Sequence, residues 1–139
     1  YFDQFVDVRE FMSDVVTRAR NEGYTTTLFG RRRYLPELKS DNFRIRQMGE
    51  RMALNAPVQG TAADIIKAAM IELDRRLRDD GRDSAMLLQI HDELILECPE
   101  GEIEHVEDLV VECMEGVSSL DVPLKVEVAT GPDLAAVKS

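Results

Sequence analysis

Hydrophobic positions recur along this chain with two different periods, and the changes of period divide it into elements. From residue 3 to residue 22, Val8, Phe11, Met12, Val15, Val16 and Ala19 fall at helical spacing, and Gly23 follows where a left-handed residue commonly ends a helix. An amphipathic helix is expected there. Tyr24-Thr25-Thr26-Thr27-Leu28-Phe29 is β-branched and aromatic, Gly30 suits a turn, and Arg31-Arg32-Arg33-Tyr34-Leu35 leads to Pro36, which together predict a small hairpin. Ser40 and Asp41 offer a helix N-cap, and good helix formers continue to Ala56, where Pro57 is expected to interrupt the helix. A second helix is expected over Val58 to Asp80, with Ala62, Ile65, Ile66, Ala69, Met70, Leu73 and Leu77 on one face and Gly81 after the last turn.

In the second half, Ala85, Met86, Leu87, Leu88 and Ile90 precede His91-Asp92-Glu93, and Leu94, Ile95 and Leu96 follow it. Three consecutive ionisable residues thus interrupt an apolar ribbon, at the place where two short buried strands would turn. Such a turn is a rigid mount for a carboxylate. Residues 101 to 117 return to helical period, with Ile103, Val106, Leu109, Val110, Cys113 and Val117 inward and glutamates outward. That acidic face reads as solvated surface, and His105 on it as a surface histidine, not a ligand. Val122-Pro123-Leu124-Lys125-Val126-Glu127-Val128 alternates as a third strand that could pair with the Asp92 hairpin, and the tail from Gly131 is expected to fray. The fold class is α+β: a small antiparallel sheet carrying that hairpin, packed against helices.

Composition bounds this picture more than it alters it. At 139 residues and 44% hydrophobic, the chain is about one domain long with a normal core content. It opens on Tyr1-Phe2-Asp3-Gln4-Phe5, without an initiator Met or a leader pattern, so it is expected to begin inside an element of a longer protein. No apolar run approaches the roughly 20 residues that span a bilayer, and a soluble protein is expected. Cys98 and Cys113 lack CxxC spacing and read as buried thiols in a reducing compartment.

Charge does change the picture. The net charge is −10, which by itself speaks against a nucleic-acid partner. Its distribution is uneven. From Thr17 to Arg51 nine basic residues face four acidic ones, a local +5, whereas from Asp92 to Asp121 there are eleven acidic residues and no Lys or Arg, a local −11. A basic and an acidic face are implied, and such asymmetry points to a polyanion partner.

The candidate chemistry centres on residues 91 to 93. Buried carboxylates need a partner or a metal, and no Ser or Cys stands in a recognisable nucleophile setting, so metal-assisted chemistry fits better than acyl transfer. Mg²⁺ prefers oxygen ligands and often keeps substrate phosphates in its shell. The Arg31 to Arg33 run reads either as solvated surface or as an arm that grips phosphates. Arg51, Asn55 and Gln59, spaced i, i+4, i+8, share one face if the break at Pro57 bends the helix only slightly; otherwise the segment is a helix-helix corner with a capping amide.

Taken together, these stretches resemble family A DNA polymerases. Gln89-Ile90-His91-Asp92-Glu93-Leu94-Ile95-Leu96-Glu97 is similar to the family's motif C. Gly23-Tyr24-Thr25, Gly30-Arg31-Arg32-Arg33-Tyr34-Leu35-Pro36-Glu37-Leu38 and the run from Glu50 through Asn55-Ala56-Pro57-Val58-Gln59-Gly60 to Lys67 resemble it in the same order. The resemblance extends from Tyr1 to about Gly131. It implies the C-terminal part of the polymerase palm with a piece of the fingers, about 1–40 being a fingers-side helix and basic hairpin and about 41–139 palm. Asp92 would be one of two aspartates that hold the catalytic metals, with Glu93 a less critical carboxylate and His91 near the primer end. Arg51, Asn55 and Gln59 would contact the primer-template minor groove, whose acceptors at purine N3 and pyrimidine O2 occur in every base pair. Arg31, Arg32 and Arg33 would help with the backbone.

The implied cofactor is Mg²⁺, two ions in the complete enzyme. The implied partners are primer-template DNA, deoxynucleoside triphosphates and the rest of the polymerase chain, with no membrane, in a bacterial cytoplasm at the nucleoid. The family's other catalytic aspartate, in motif A, and its nucleotide-binding fingers helix would precede Tyr1, so the 139 residues alone are expected to be inactive. The end departs from the family's Gly, Trp and terminal His, having Gly131-Pro132-Asp133-Leu134 and Val137-Lys138-Ser139, which puts the packing of the tail in question. Two rivals remain: a non-catalytic DNA-binding module derived from the fold, and a metal-dependent nuclease using His91, Asp92 and Glu93, which would need further carboxylates nearby.

Overall fold

A computed structural model describes residues 4–138. They form two compact units that divide between Asp64 and Ile65, each with its own apolar cluster.

The first unit opens with α1 (Val6–Glu22), which ends at Gly23 in the left-handed region (φ 83°), its N–H returning to the Ala19 carbonyl. The helix is where the pattern places it, but its apolar stripe is not a buried face. Only Ala19 is buried, while Phe11 is 57% exposed and Val8 is exposed as well. Strands β1 (Tyr24–Thr26) and β2 (Arg32–Tyr34) pair antiparallel with Tyr24 opposite Tyr34 and Thr26 opposite Arg32. The two tyrosine rings meet edge to face, 5.5 Å between centroids. A 3₁₀ turn (Pro36–Lys39) then buries Leu35 and Leu38 against Ala19 and Ala53.

Helix α2 (Phe43–Asp79) differs from expectation at both features that mark its course. It starts one residue later than Ser40-Asp41 suggests, because Asn42 is the cap: its Oδ1 accepts the Arg44 N–H at 2.9 Å. It also runs through Pro57 as one helix of 37 residues, where two were expected. Proline removes one N–H from the ladder and crowds the preceding turn. Burial of Ala53 and Ala56 on the inner side, together with tertiary bonds just beyond the proline, opposes that local preference. The division between the two units falls within this helix, at Asp64/Ile65.

In the second unit, Leu73 and Leu77 of α2 pack with Val106, Leu109, Val110 and Cys113 of α3 (Ile103–Glu115), the inward set that the helical period assigns. Gly81 follows α2 at φ 62°. Strands β3 (Ala85–Ile90) and β4 (Glu93–Glu97) form an antiparallel hairpin that lays Met86, Leu94 and Leu96 on this core. A bulge falls between Met86 and Leu88, where Leu87 is the extra residue. The apolar ribbon is therefore not buried throughout: a two-stranded sheet has two faces and the core takes one, leaving Leu87 56% and Leu88 52% exposed. Burial also pushes up the pKa of the Cys113 thiol; Cys98 is half-buried, and both thiols are free.

Glu102 ties the start of β3 to the start of α3. It accepts the Ser84 hydroxyl at 2.5 Å and the Asp83 and Ser84 N–H groups at 3.0 and 3.2 Å. The Ser84 hydroxyl, then the backbone donors, hold its carboxyl below the ordinary range. The expected third strand is absent. Residues 123–130 have no regular structure, and the Val126 N–H donates to Glu115 Oε1 at 2.9 Å instead of to a strand edge. The tail does not simply fray either: Asp133 caps the short α4 (Leu134–Val137), and Lys138 Nζ reaches Glu93 Oε2 at 3.1 Å.

Candidate functional site

In the second unit, the two-residue connection between β3 and β4 is His91-Asp92. His91 has φ 55°, the only non-glycine residue with positive φ among those described. Positive φ at the first central residue alone is the pattern of a type II′ hairpin turn, a place glycine normally takes. A histidine held there costs on the order of 1–3 kcal/mol, and strain of this kind clusters at functional positions. Gln89 supports the turn by donating from Nε2 to the His91 carbonyl at 3.1 Å.

His91, Asp92 and Glu93 are all exposed at the tip. The expectation that Asp92 is buried between strands does not hold, because the turn projects past the face that the core covers. Glu93 is the carboxylate with a charged neighbour, Lys138. Among the described residues, no group of three or more His, Cys, Asp or Glu stands together to hold a metal. His105 lies away in sequence on α3, with Nε2 3.1 Å from Asp80 Oδ2, as a surface histidine.

In the first unit, α2 runs through Pro57 as one helix and not as a helix-helix corner. With no break at Pro57, residues 51, 55 and 59 succeed one another at about 6 Å along one side of the helix. Arg51, Asn55 and Gln59 are all exposed, while Ala53 and Ala56 face the interior. Arg51 also borders a shallow hollow with Gln47, Glu50 and Leu54, and Glu50 pairs with Arg20 of α1.

The three arginines of the hairpin have different surroundings. Arg31 turns to α2, its Nε 2.8 Å from Asp64 Oδ1 and its Nη2 3.2 Å from the Gly60 carbonyl. Arg32 lies over the Tyr24 ring at 4.5 Å, and the Tyr34 and then the Tyr24 phenol favour its charged form. Arg33 is exposed on the strand between them and Tyr34. With Thr25, Thr26, Thr27, Gln59 and Gly60, they border a groove of about 180 Å³ that has no carboxylate in its lining.

Asp64, Thr27 and Gly60 did not stand out in the sequence as functional positions. The one available signal is a lone carboxylate inside Thr61-Ala62-Ala63-Asp64-Ile65-Ile66, a small and apolar run where a charged residue calls for a partner.

A family model described as DNA polymerase family A matches residues 1–136. The chain is 53% identical over 132 residues to the DNA polymerase I of Bacillus subtilis (strain 168), covering 95% of this chain and 15% of that one. It is 56% identical over 131 residues to the DNA polymerase I of Mycobacterium bovis, covering 94% of this chain and 14% of that one. The chain thus spans about 15% of the length of these curated relatives. Its fold superposes on the POL domain of Pol1 from M. smegmatis, solved in complex with DNA primer-template and dNTP. The TM-score is 0.96 at 53% identity, covering 100% of this chain and 24% of that one.

Proposed function

The chain belongs to DNA polymerase family A, and on that premise we propose that it supplies one catalytic carboxylate and a duplex-holding helix face to a DNA-directed DNA polymerase. The supporting observation is its likeness, along its whole length, to a POL domain solved with primer-template and dNTP. The reaction is template-directed extension of a primer, in which the 3′ hydroxyl attacks the α-phosphate of a deoxynucleoside triphosphate.

In this reading the residues about 1–40 are a fingers-side helix and basic hairpin and the rest is palm. Asp92 offers an exposed carboxylate at a stiff hairpin tip, with Glu93 beside it and His91 next to the primer end. Oxygen donors suit a hard cation, so Asp92 and, less strongly, Glu93 are contributors to a Mg²⁺ site that needs carboxylates from elsewhere in the polymerase. Two Mg²⁺ ions, when bound, supply Lewis-acid stabilisation of the charge on the transferring phosphoryl group. The chain's own contribution is to fix these oxygens, since the strained turn is braced by Gln89 and by the ladder on either side.

Arg51, Asn55 and Gln59 carry the second half of the task. Their donors point from one side of one helix, as reading of minor-groove acceptors requires, and they test pair geometry without reading sequence. The basic hairpin adds charge for the phosphate backbone, where the carboxylate-free groove and Arg33 are open to it. Primer-template DNA, deoxynucleoside triphosphates and the rest of the polymerase are the partners, in a bacterial cytoplasm at the nucleoid. No described helix is long and apolar enough to cross a membrane.

Gln59→Ala in the full polymerase tests the duplex role. It is expected to weaken primer-template binding and slow extension from the primer end by about tenfold, the loss of one or two hydrogen bonds. Unchanged binding and extension would remove the minor-groove assignment.

A further inference from the structure

We propose that Asp64 is a positioning residue for the nucleic-acid face: it clamps the basic hairpin against α2, five residues beyond Gln59. The inference rests on the polymerase reading and adds to it a residue that touches neither DNA nor nucleotide.

The Asp64 side chain is only 11% exposed, and a carboxylate so enclosed requires partners. Each oxygen has one. Oδ1 accepts from Arg31 Nε at 2.8 Å and Oδ2 from the Thr27 hydroxyl at 2.7 Å. Two further bonds join the same elements: Arg31 Nη2 to the Gly60 carbonyl at 3.2 Å, and the Leu28 N–H to Thr61 Oγ1 at 3.0 Å. Thr27 Oγ1 also accepts the Phe29 and Arg31 N–H groups, both at 3.2 Å, so one hydroxyl organises the turn and anchors it to the helix. At Gly60 the contact is so close that an added Cβ would lie 2.6 Å from Thr27 Cγ2.

This clamp divides the labour among the arginines. The Arg31 charge is spent on Asp64, and the strand it anchors continues directly into Arg32 and Arg33, which border the groove beside Gln59. Asp64 acts on DNA through that strand.

Electrostatics and positioning predict effects of opposite sign. Acting through charge alone, a carboxylate beside a polyanion site opposes binding, so its removal would tighten the complex. Acting as a clamp, its removal lets the hairpin drift and weakens the complex. The experiment measures the primer-template Kd and the incorporation rate at saturating DNA in the full polymerase. The variants are Asp64→Asn, Asp64→Ala, Thr27→Val, Arg31→Ala and the Arg31→Ala/Asp64→Ala pair, with Gln59→Ala alongside.

The expected result is a Kd raised about tenfold by Asp64→Asn with its saturated rate unchanged, and a Kd raised in the same direction by Thr27→Val. The pair should lose no more than either single variant, since both remove one device. Binding as tight as wild type or tighter in Asp64→Asn and Thr27→Val would overturn the proposal, and so would additive losses in the pair. A fall in saturated rate together with a lowered unfolding temperature would assign Asp64 to stability alone and overturn it too. If Gln59→Ala weakens binding while the Asp64 variants do not, the clamp alone is wrong; if Gln59→Ala also has no effect, the duplex reading beneath it fails.

Discussion

Gly60→Ala should destabilise this chain, although alanine is the better helix residue. In an exposed helix interior the exchange stabilises by about 1 kcal/mol. Here the new methyl would stand 2.6 Å from Thr27 Cγ2 and 3.4 Å from Arg31 Nη2. The threonine cannot rotate away freely, because its hydroxyl is bound to Asp64 and to the Phe29 and Arg31 N–H groups. Either the turn or the helix must shift. Overpacking of this kind costs about 1–3 kcal/mol. Weakening the half-exposed Arg31 contacts adds about 1 kcal/mol more after solvent screening. The propensity gain offsets only part of this, leaving a net loss of about 2 kcal/mol.

Equilibrium urea unfolding of Gly60→Ala measures that loss. A second variant isolates its cause. Thr27→Ser deletes Cγ2 while retaining the hydroxyl, so Gly60→Ala/Thr27→Ser should recover most of the stability that Gly60→Ala loses. A Gly60→Ala protein about 1 kcal/mol more stable than wild type, or no recovery in the double variant, would refute the close packing of hairpin on helix.

Two further outcomes concern the second unit. Leu109→Ala removes a fully buried side chain between α3 and α2 and should cost about 2–5 kcal/mol in urea unfolding, far more than the same change at exposed Leu88. Glu102 has a depressed carboxyl pKa, so its contribution is present above the ordinary glutamate value near 4.5 and is lost as pH falls through the lower folded value. Glu102→Gln should therefore lower the unfolding temperature at pH 7, and its deficit should shrink on acidification below about 4.5; a deficit that is independent of pH would exclude the linkage.

Much of this arrangement is legible in the sequence because it depends on local chemistry. Gly23 and Gly81 end helices in the left-handed region, and the α3 period selects Val106, Leu109, Val110 and Cys113 for the core. The turn at His91-Asp92 is marked by the charges it inserts between apolar strands. What escaped the pattern depends on neighbours distant in sequence. Pro57 predicts a break by its own chemistry, yet the inner alanines and the bonds from Arg31 and Leu28 sit on either side of it and the helix continues. Val122 to Val128 alternates like a strand, but alternation cannot provide a partner edge, and the Val126 N–H goes to Glu115. The Asp64 clamp joins positions 33 to 37 residues apart, a separation no local pattern reports.

The role of the strained hairpin tip is tested most directly by single-turnover incorporation in Mg²⁺ with the full polymerase carrying Asp92→Ala, read beside its affinity for primer-template. Loss of the carboxylate should abolish nucleotide addition while DNA binding stays largely intact, since in the proposed function the group acts on metal and not on the duplex. Incorporation at the wild-type rate would show that Asp92 holds no catalytic ion.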